Sequence, residues 1–215
     1  MRRHLPLLAA IALAGCATGG SVNDPPSKLE VAAPRSILIV PVENGSLNVD
    51  APNYLLSTLT IPLAEKGYYV FPVNTVKVVL EQEGLYEPER VRELAPARLA
   101  GMFGADAVLY VRINRWDAQY AILATTVTVE LDYRLVSKSG EELWTTRKQV
   151  RYQPQNQNSG NPLADLIVAA VAAAITRAAP NYMPLARQAN NAVFLSDDTA
   201  WPPGPYARPA GAAAR

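Results

Sequence analysis

The chain has 215 residues, 49% hydrophobic, 18% charged and 7% aromatic, which is room for one large domain or two small ones and too apolar for a disordered protein. Lys plus Arg is 20 and Asp plus Glu is 19, so a formal charge of +1 supplies no basic field for a polyphosphate, and no nucleic-acid partner is expected. The single cysteine and the single histidine both fall within the first sixteen residues, which restricts the chemistry open to the rest of the chain.

Arg2 and Arg3 open the chain, Leu5 to Leu13 follow as an apolar stretch broken only by Pro6, and Ala14-Gly15 precede Cys16. This pattern predicts a secretory signal peptide over residues 1–15. An apolar stretch of about ten residues is half of what a helix needs to cross a bilayer, about 20. Leu13-Ala14-Gly15-Cys16 resembles a bacterial lipobox, in which the cysteine thiol receives a diacylglyceryl group and its new amine is acylated, palmitate being a usual chain. Each buried methylene contributes about 0.8 kcal/mol, so several acyl chains on Cys16 would hold the protein stably on a lipid membrane. Ala17 follows, where lipoproteins retained in the inner membrane commonly carry Asp, so the periplasmic face of the outer membrane is the expected location.

Cleavage removes Arg2, Arg3 and His4 and leaves 18 basic against 19 acidic side chains. With no histidine and no free thiol, Ser-His-Asp and Cys-His catalysis, His or Cys zinc sites and disulfides are all excluded from the mature chain. None of the five lysines (Lys28, Lys66, Lys77, Lys138, Lys148) follows a glycine, so there is no P-loop, and no Ser-x-x-Lys motif occurs. No cofactor is expected.

After lipidated Cys16, residues 17–34 are small and polar with Gly19, Gly20, Pro25, Pro26 and Pro34, the composition of a flexible tether. Ser36 to Val42 is a continuous β-branched run, expected of a central strand covered on both faces. A loop marked by Asn44, Gly45, Asn48, Asp50 and Pro52 leads to Leu55, Leu56, Leu59 and Leu63 at helical spacing. Lys66-Gly67 closes that helix, and Pro62 should kink or shorten it. Tyr68 to Val73 predicts a second strand. Asn74 or Thr75 then caps a short helix carrying Val76, Val79 and Leu80 that ends near Gly84. One or two further helices lie between Pro88 and Phe103, the last from about Pro96 to Gly104.

From Ala105 the pattern turns to consecutive strands. Leu109, Val111 and Ile113 share one parity, and Val127 to Leu135 alternate strictly with Thr126 to Arg134. Ser137-Lys138-Ser139-Gly140 marks a hairpin turn, and Leu143 to Tyr152 returns with Arg147, Lys148 and Arg151 as charges that blunt an edge strand. The order β-α-β-α-α-β-β-β-α predicts an α/β (α+β) fold, a single mixed β-sheet with helices packed on it, over residues 35–195. Gln153 to Pro162 is a Gln/Asn-rich linker. The following helix, 163–178, contains the wholly apolar run Leu166 to Ile175. That run either packs on the sheet or exposes Leu166, Ile167, Val168, Val171 and Ile175 as a partner-docking face. Pro180 separates a last helix, to about Phe194. Residues 196–215 are Pro/Ala/Gly-rich, either disordered or a polyproline-like segment laid on this domain or a partner.

Candidate chemistry is sparse. Glu130 and Asp132 share a strand face at roughly 6.5–7 Å, a separation open to paired-carboxylate hydrolysis, although a solvated strand face with Arg112 and Arg134 as cross-strand partners explains them without catalysis. Asp197-Asp198 lacks the six or more oxygens that calcium takes. Arg90, Arg92 and Arg98 interleave with Glu87, Glu89 and Glu93 as a salt-bridged helix surface. Tyr68, Tyr69 and Phe71 read as packing aromatics rather than a binding strip. No metal site and no catalytic residue stand out.

Leu56-Ser-Thr-Leu-Thr-Ile-Pro-Leu-Ala-Glu-Lys-Gly-Tyr-Tyr-Val-Phe-Pro-Val73, with Phe103-Gly-Ala-Asp-Ala-Val-Leu-Tyr-Val-Arg-Ile-Asn114, resembles a proteobacterial lipoprotein family of unknown function. The resemblance covers nearly all of the mature chain, from Cys16 through the Ala-rich helix to the Pro/Gly-rich end. It implies a fold similar to the TolB N-terminal domain, to CsgG-type periplasmic lipoproteins and to the lipoprotein activators of peptidoglycan synthases. It also implies neighbouring envelope lipoproteins, among them a CsgG-like protein, as partners, with oligomers open. The expected function is therefore a non-enzymatic, protein-binding component of a cell-envelope complex for transport or secretion. Regulation of a peptidoglycan synthase is the alternative, and a carboxylate hydrolase the remote one.

Overall fold

The computed structural model describes residues 25–120, 125–152, 182–196 and 201–207. Cys16, the 153–162 linker, the apolar 163–178 helix with Leu166, Ile167, Val168, Val171 and Ile175, and Asp197-Asp198 lie outside the described residues. The described elements are α1 (Lys28–Ala32), β1 (Ser36–Ile39), β2 (Glu43–Asn44), α2 (Ala51–Glu65), β3 (Tyr69–Val70), α3 (Val73–Gln82), α4 (Pro88–Glu93), α5 (Pro96–Phe103), β4 (Ala107–Tyr120), β5 (Thr125–Ser137), β6 (Glu142–Tyr152) and α6 (Met183–Phe194).

One mixed sheet runs β3-β1-β4-β5-β6, with β2 beside β4. β1 pairs in parallel with β3 and β4, and β4, β5 and β6 form an antiparallel meander. This is the mixed α/β architecture that the run of β-α units followed by strands predicts. The parallel pair needs helical crossovers, whereas the meander needs only turns.

Alternation along β1 sends Ile37 and Ile39 to one face and Leu38 and Val40 to the other, all buried. The first face carries Leu109, Val111, Leu131, Tyr133 and Leu135 beneath Leu55, Leu59 and Leu63 of α2 and Leu185, Ala189 and Val193 of α6. The second carries Val108, Tyr110 and Val136 beneath Val76 and Leu80 of α3, Val91 of α4 and Leu99 of α5. The wholly apolar reading of Ser36 to Val42 follows from this double coverage.

Several expectations need correction. The tether of residues 16–34 is not wholly a tether: Lys28–Ala32 is a helix with a capping box between Ser27 and Glu30, and Leu29 is buried in the core. Nor does the folded unit stop at 195, because Trp201 is buried at 2% exposure against Phe194, Trp144 and Tyr68. Of the two readings of the C-terminal tail, residues 201–207 follow the one laid on this domain. β1 ends at Ile39, two residues before Pro41, which has no N–H for a ladder. β3 keeps only Tyr69–Val70. Pro62 does not shorten α2, which continues to Glu65 with Pro62 buried. Neither Asn74 nor Thr75 caps α3, since Pro72 takes that position without a side-chain bond. The Pro88 to Phe103 stretch holds two helices, and Gly104 (φ +70°) closes the second.

Candidate functional site

On the second face, α3, α4 and α5 cover only the half of the sheet around β1 and the start of β4. Beyond Tyr110 the three long strands present polar side chains in register. Tyr110, Arg134 and Thr145 lie opposite one another, then Arg112, Asp132 and Arg147, then Arg115, Glu130 and Gln149. An irregularity between Ile113 and Arg115 keeps this pattern consistent. It shifts parity by one residue, so that Trp116 turns into the core and Arg115 joins the polar face.

Glu130 and Asp132 stand on this face as expected, but their partner is different. Arg147 of β6 grips Asp132 through two hydrogen bonds, Nε to Oδ1 at 2.5 Å and Nη2 to Oδ2 at 2.9 Å, and lies 3.8 Å from Glu130. Gln149 Nε2 donates to Glu130 Oε2 at 3.1 Å. The Arg147 fork is the first cause holding the Asp132 carboxyl below its ordinary value, so it stays ionised at neutral pH and has no proton to donate. A hydrolytic pair needs one carboxyl kept protonated, and this pairing works against that for Asp132.

Arg112, assigned above to those carboxylates, instead pairs with Glu43 of β2 at 2.8 Å, and Arg92 of α4 reaches the same carboxylate at 3.1 Å. The expected salt-bridged surface within 87–98 is thus redirected at Arg92, which turns toward the sheet. Arg92 and Arg134 both lie over the Tyr110 ring, at 5.5 Å and 5.1 Å from its centroid. Burial raises the Tyr110 phenol above its ordinary value, and the two guanidinium groups partly counter that rise. A depression of about 450 Å³ opens here, lined by Arg92, Tyr110, Arg112, Asp132, Arg134 and Arg147. Sequence reasoning missed Glu43 and Tyr110. A two-residue strand has no periodicity to read, and a tyrosine in an apolar strand looks like any core residue.

A second concavity, about 340 Å³, lies beyond the C-terminal end of β1. There the chain leaves β1 for α2 on one face and β3 for α3 on the other, the switch point at which open α/β sheets form a crevice. Ile39, Pro41, Leu56, Val73 and Val76 make its floor, and Val49 and Tyr86 stand exposed at its lip. The Tyr68, Tyr69, Phe71 strip divides: Tyr68 is buried beside Trp201, whereas Tyr69 and Phe71 stack edge to face. Among the described residues no three His, Cys, Asp or Glu side chains gather around a metal-sized space, and no helix is long and apolar enough to cross a membrane.

A family model described as "Putative lipoprotein GNA1162-like" matches residues 26–204. The chain belongs to this GNA1162-like lipoprotein family. It is 36% identical over 168 residues to "Putative lipoprotein NMB1124/NMB1162" of Neisseria meningitidis serogroup B, covering 78% of this chain and 77% of that one. It is also similar to the crystal structure of lipoprotein GNA1162 from Neisseria meningitidis, at 37% identity and a TM-score of 0.56 over 66% of this chain and 98% of that one. The GNA1162-like match ends at residue 204 and so includes Trp201, in agreement with a folded unit that extends past α6.

Proposed function

We propose that this GNA1162-like lipoprotein is held by acylated Cys16 on the periplasmic face of the outer membrane and acts there as a non-enzymatic, protein-binding component of a cell-envelope complex. A CsgG-like lipoprotein is its proposed neighbour. The observation that carries the binding reading is the second face of the sheet, which the described helices cover over only half its width. Three long strands present a charged surface there, Glu43, Glu130 and Asp132 are already engaged by arginine or glutamine, and Arg112, Arg134 and Arg147 remain exposed. Such a face suits recognition of another macromolecule better than proton transfer. Lipobox residues Leu13 to Cys16 and membership of a lipoprotein family support the anchor.

In-cell cross-linking of the full-length protein, followed by extraction from membranes and mass spectrometry, tests this reading. The expected result is a CsgG-like lipoprotein linked to the wild type, with capture lost when Cys16→Ser removes the lipid. Recovery of a peptidoglycan synthase in its place would make the protein a regulator of that enzyme. Absence of any specific protein, together with a phenotype abolished by Glu130→Ala/Asp132→Ala in a folded chain, would overturn the binding reading in favour of hydrolysis.

A further inference from the structure

We propose that Arg134, stacked on Tyr110 and flanked by Arg92 and Arg112, is the receptor for a carboxylate side chain on an acidic segment of the partner protein. The inference rests on the protein-binding reading above and names the chemistry of that partner.

The second face of the sheet carries side chains of both charges. Four acidic groups on this face are already engaged, Glu43 by Arg92 and Arg112, Asp132 and Glu130 by Arg147, and Asp117 by Arg115 at 2.9 Å, while Glu142 stands exposed opposite Val136, one row from Arg134. Arg134 has no carboxylate partner among the described residues, and its guanidinium lies 5.1 Å from the centroid of the Tyr110 ring. It is exposed, yet it sits where two further guanidinium groups converge around a depression of about 450 Å³. Like charges gathered in this way repel, and stacking on one phenol ring offsets only part of that cost. An anion seated in the depression would meet Arg134, with Arg112 and Arg92 beside it sharing Glu43, and with Asp132 held by Arg147 at the other side.

The shape favours a segment of polypeptide over a small anion. The depression lies across strands whose polar rows are spaced by the strand repeat, roughly 6.5–7 Å between same-side residues. An extended acidic segment matches that spacing with alternate side chains. The planar fork of arginine donates two parallel hydrogen bonds to a carboxylate, which fixes direction as well as charge. Tyr110 is 2% exposed and anchored in the core, so the ring beneath Arg134 is a rigid platform.

Arg151 supplies an internal control. It lies on the same face of β6, has no carboxylate partner among the described residues, and stands six residues from the Arg134 row, about 20 Å along the strand. The probe is a fluorescein-labelled twelve-residue peptide alternating Glu and Thr, titrated by anisotropy into the full-length chain in detergent, with a Gln/Thr peptide as its neutral counterpart. Binding of the Glu peptide is expected to weaken about tenfold with Arg134→Gln, to recover in part with Arg134→Lys, and to change less than about twofold with Arg151→Gln. The Gln peptide should not bind. Equal loss with Arg134→Gln and Arg151→Gln would mean a diffuse field and overturn the site, as would no binding of the Glu peptide. Displacement of the Glu peptide by millimolar inorganic phosphate or by vesicles of phosphatidylglycerol, dependent on Arg134, would replace the acidic partner with a phosphate group. If cross-linking in cells still captures a specific protein with Arg134→Gln in place, the inference fails while the protein-binding reading stands.

Discussion

At the scale of single residues, the core holds a polar chain that no pattern announces. Tyr133 of β5 donates to Asn190 Oδ1 of α6 at 2.7 Å, Asn190 Nδ2 donates to Thr58 Oγ1 of α2 at 2.8 Å, and Thr58 Oγ1 donates to the Leu55 carbonyl at 2.7 Å. Asn190 is fully buried, so each of its groups must be satisfied inside the protein. The chain therefore fixes how the two helices of the first face sit over the sheet. Tyr133→Phe should cost about 1–3 kcal/mol in urea unfolding, because it strands a buried acceptor. A double-mutant cycle with Asn190→Leu should show coupling, and strict additivity would disprove the linkage. In the sequence Asn190 is one polar residue among several, because burial of a helix position depends on its neighbours in space. Asp106 was equally silent, yet its carboxylate accepts the backbone N–H groups of Arg35 and Ser36 and the Ser36 hydroxyl at the entry to β1.

At the scale of elements, the C-terminal strap is the main departure from expectation. Residues 201–207 run beside the turn before β3, with Gly204 N donating to the Lys66 carbonyl at 2.7 Å, Tyr206 N to the Gly67 carbonyl at 2.9 Å, and Tyr68 Oη to the Pro202 carbonyl at 2.9 Å. Gly67 has φ +92°, and a Cβ built there would lie 2.2 Å from Ala207 N, so the strap demands glycine for space as well as for dihedral. Gly67→Ala is expected to lift the strap, shift Trp201 emission to the red and destabilise by more than about 1 kcal/mol. Gly140→Ala is the control, since it shares φ +92° but meets nothing within 4 Å. If both variants behave alike, the strap contact contributes nothing. The Lys66-Gly67 helix stop was legible from local chemistry, but the partner that makes Gly67 obligatory lies far along the chain. The Pro-rich composition that reads as disorder is also that of a chain whose polar backbone is satisfied by another segment.

At the scale of the molecule, apolar packing is asymmetric. Among the described residues, α1, α2, α6 and Trp201 seal the first face, whereas α3, α4 and α5 seal half the width of the second. Sealing leaves phenols in a dry interior: burial pushes Tyr68 up to about 12 and raises Tyr133 as well. Folding thus favours the neutral phenol. That stabilisation is fully present below the unfolded value of about 10 and is lost as pH rises through the folded value. The unfolding free energy should therefore fall between pH 10 and pH 12, and Tyr68→Phe should flatten the fall. Parallel curves for the two proteins would show that Tyr68 is not buried as described. The open half-face, by contrast, keeps its charges in water, and there the recognition chemistry is proposed.

What the sequence determined by itself follows from local rules. Side-chain alternation, glycine stops and the change from crossovers to turns specify the elements and one mixed sheet, and the lipobox pattern specifies the expected anchor. Tertiary structure decided which charges meet. Arg147 rather than Arg112 or Arg134 holds Asp132, Arg92 leaves its own helix for Glu43, and Arg134 remains without a carboxylate among the described residues. Strand register and helix placement set those distances, and ion pairing falls off so steeply with distance that a one-residue slip reassigns it.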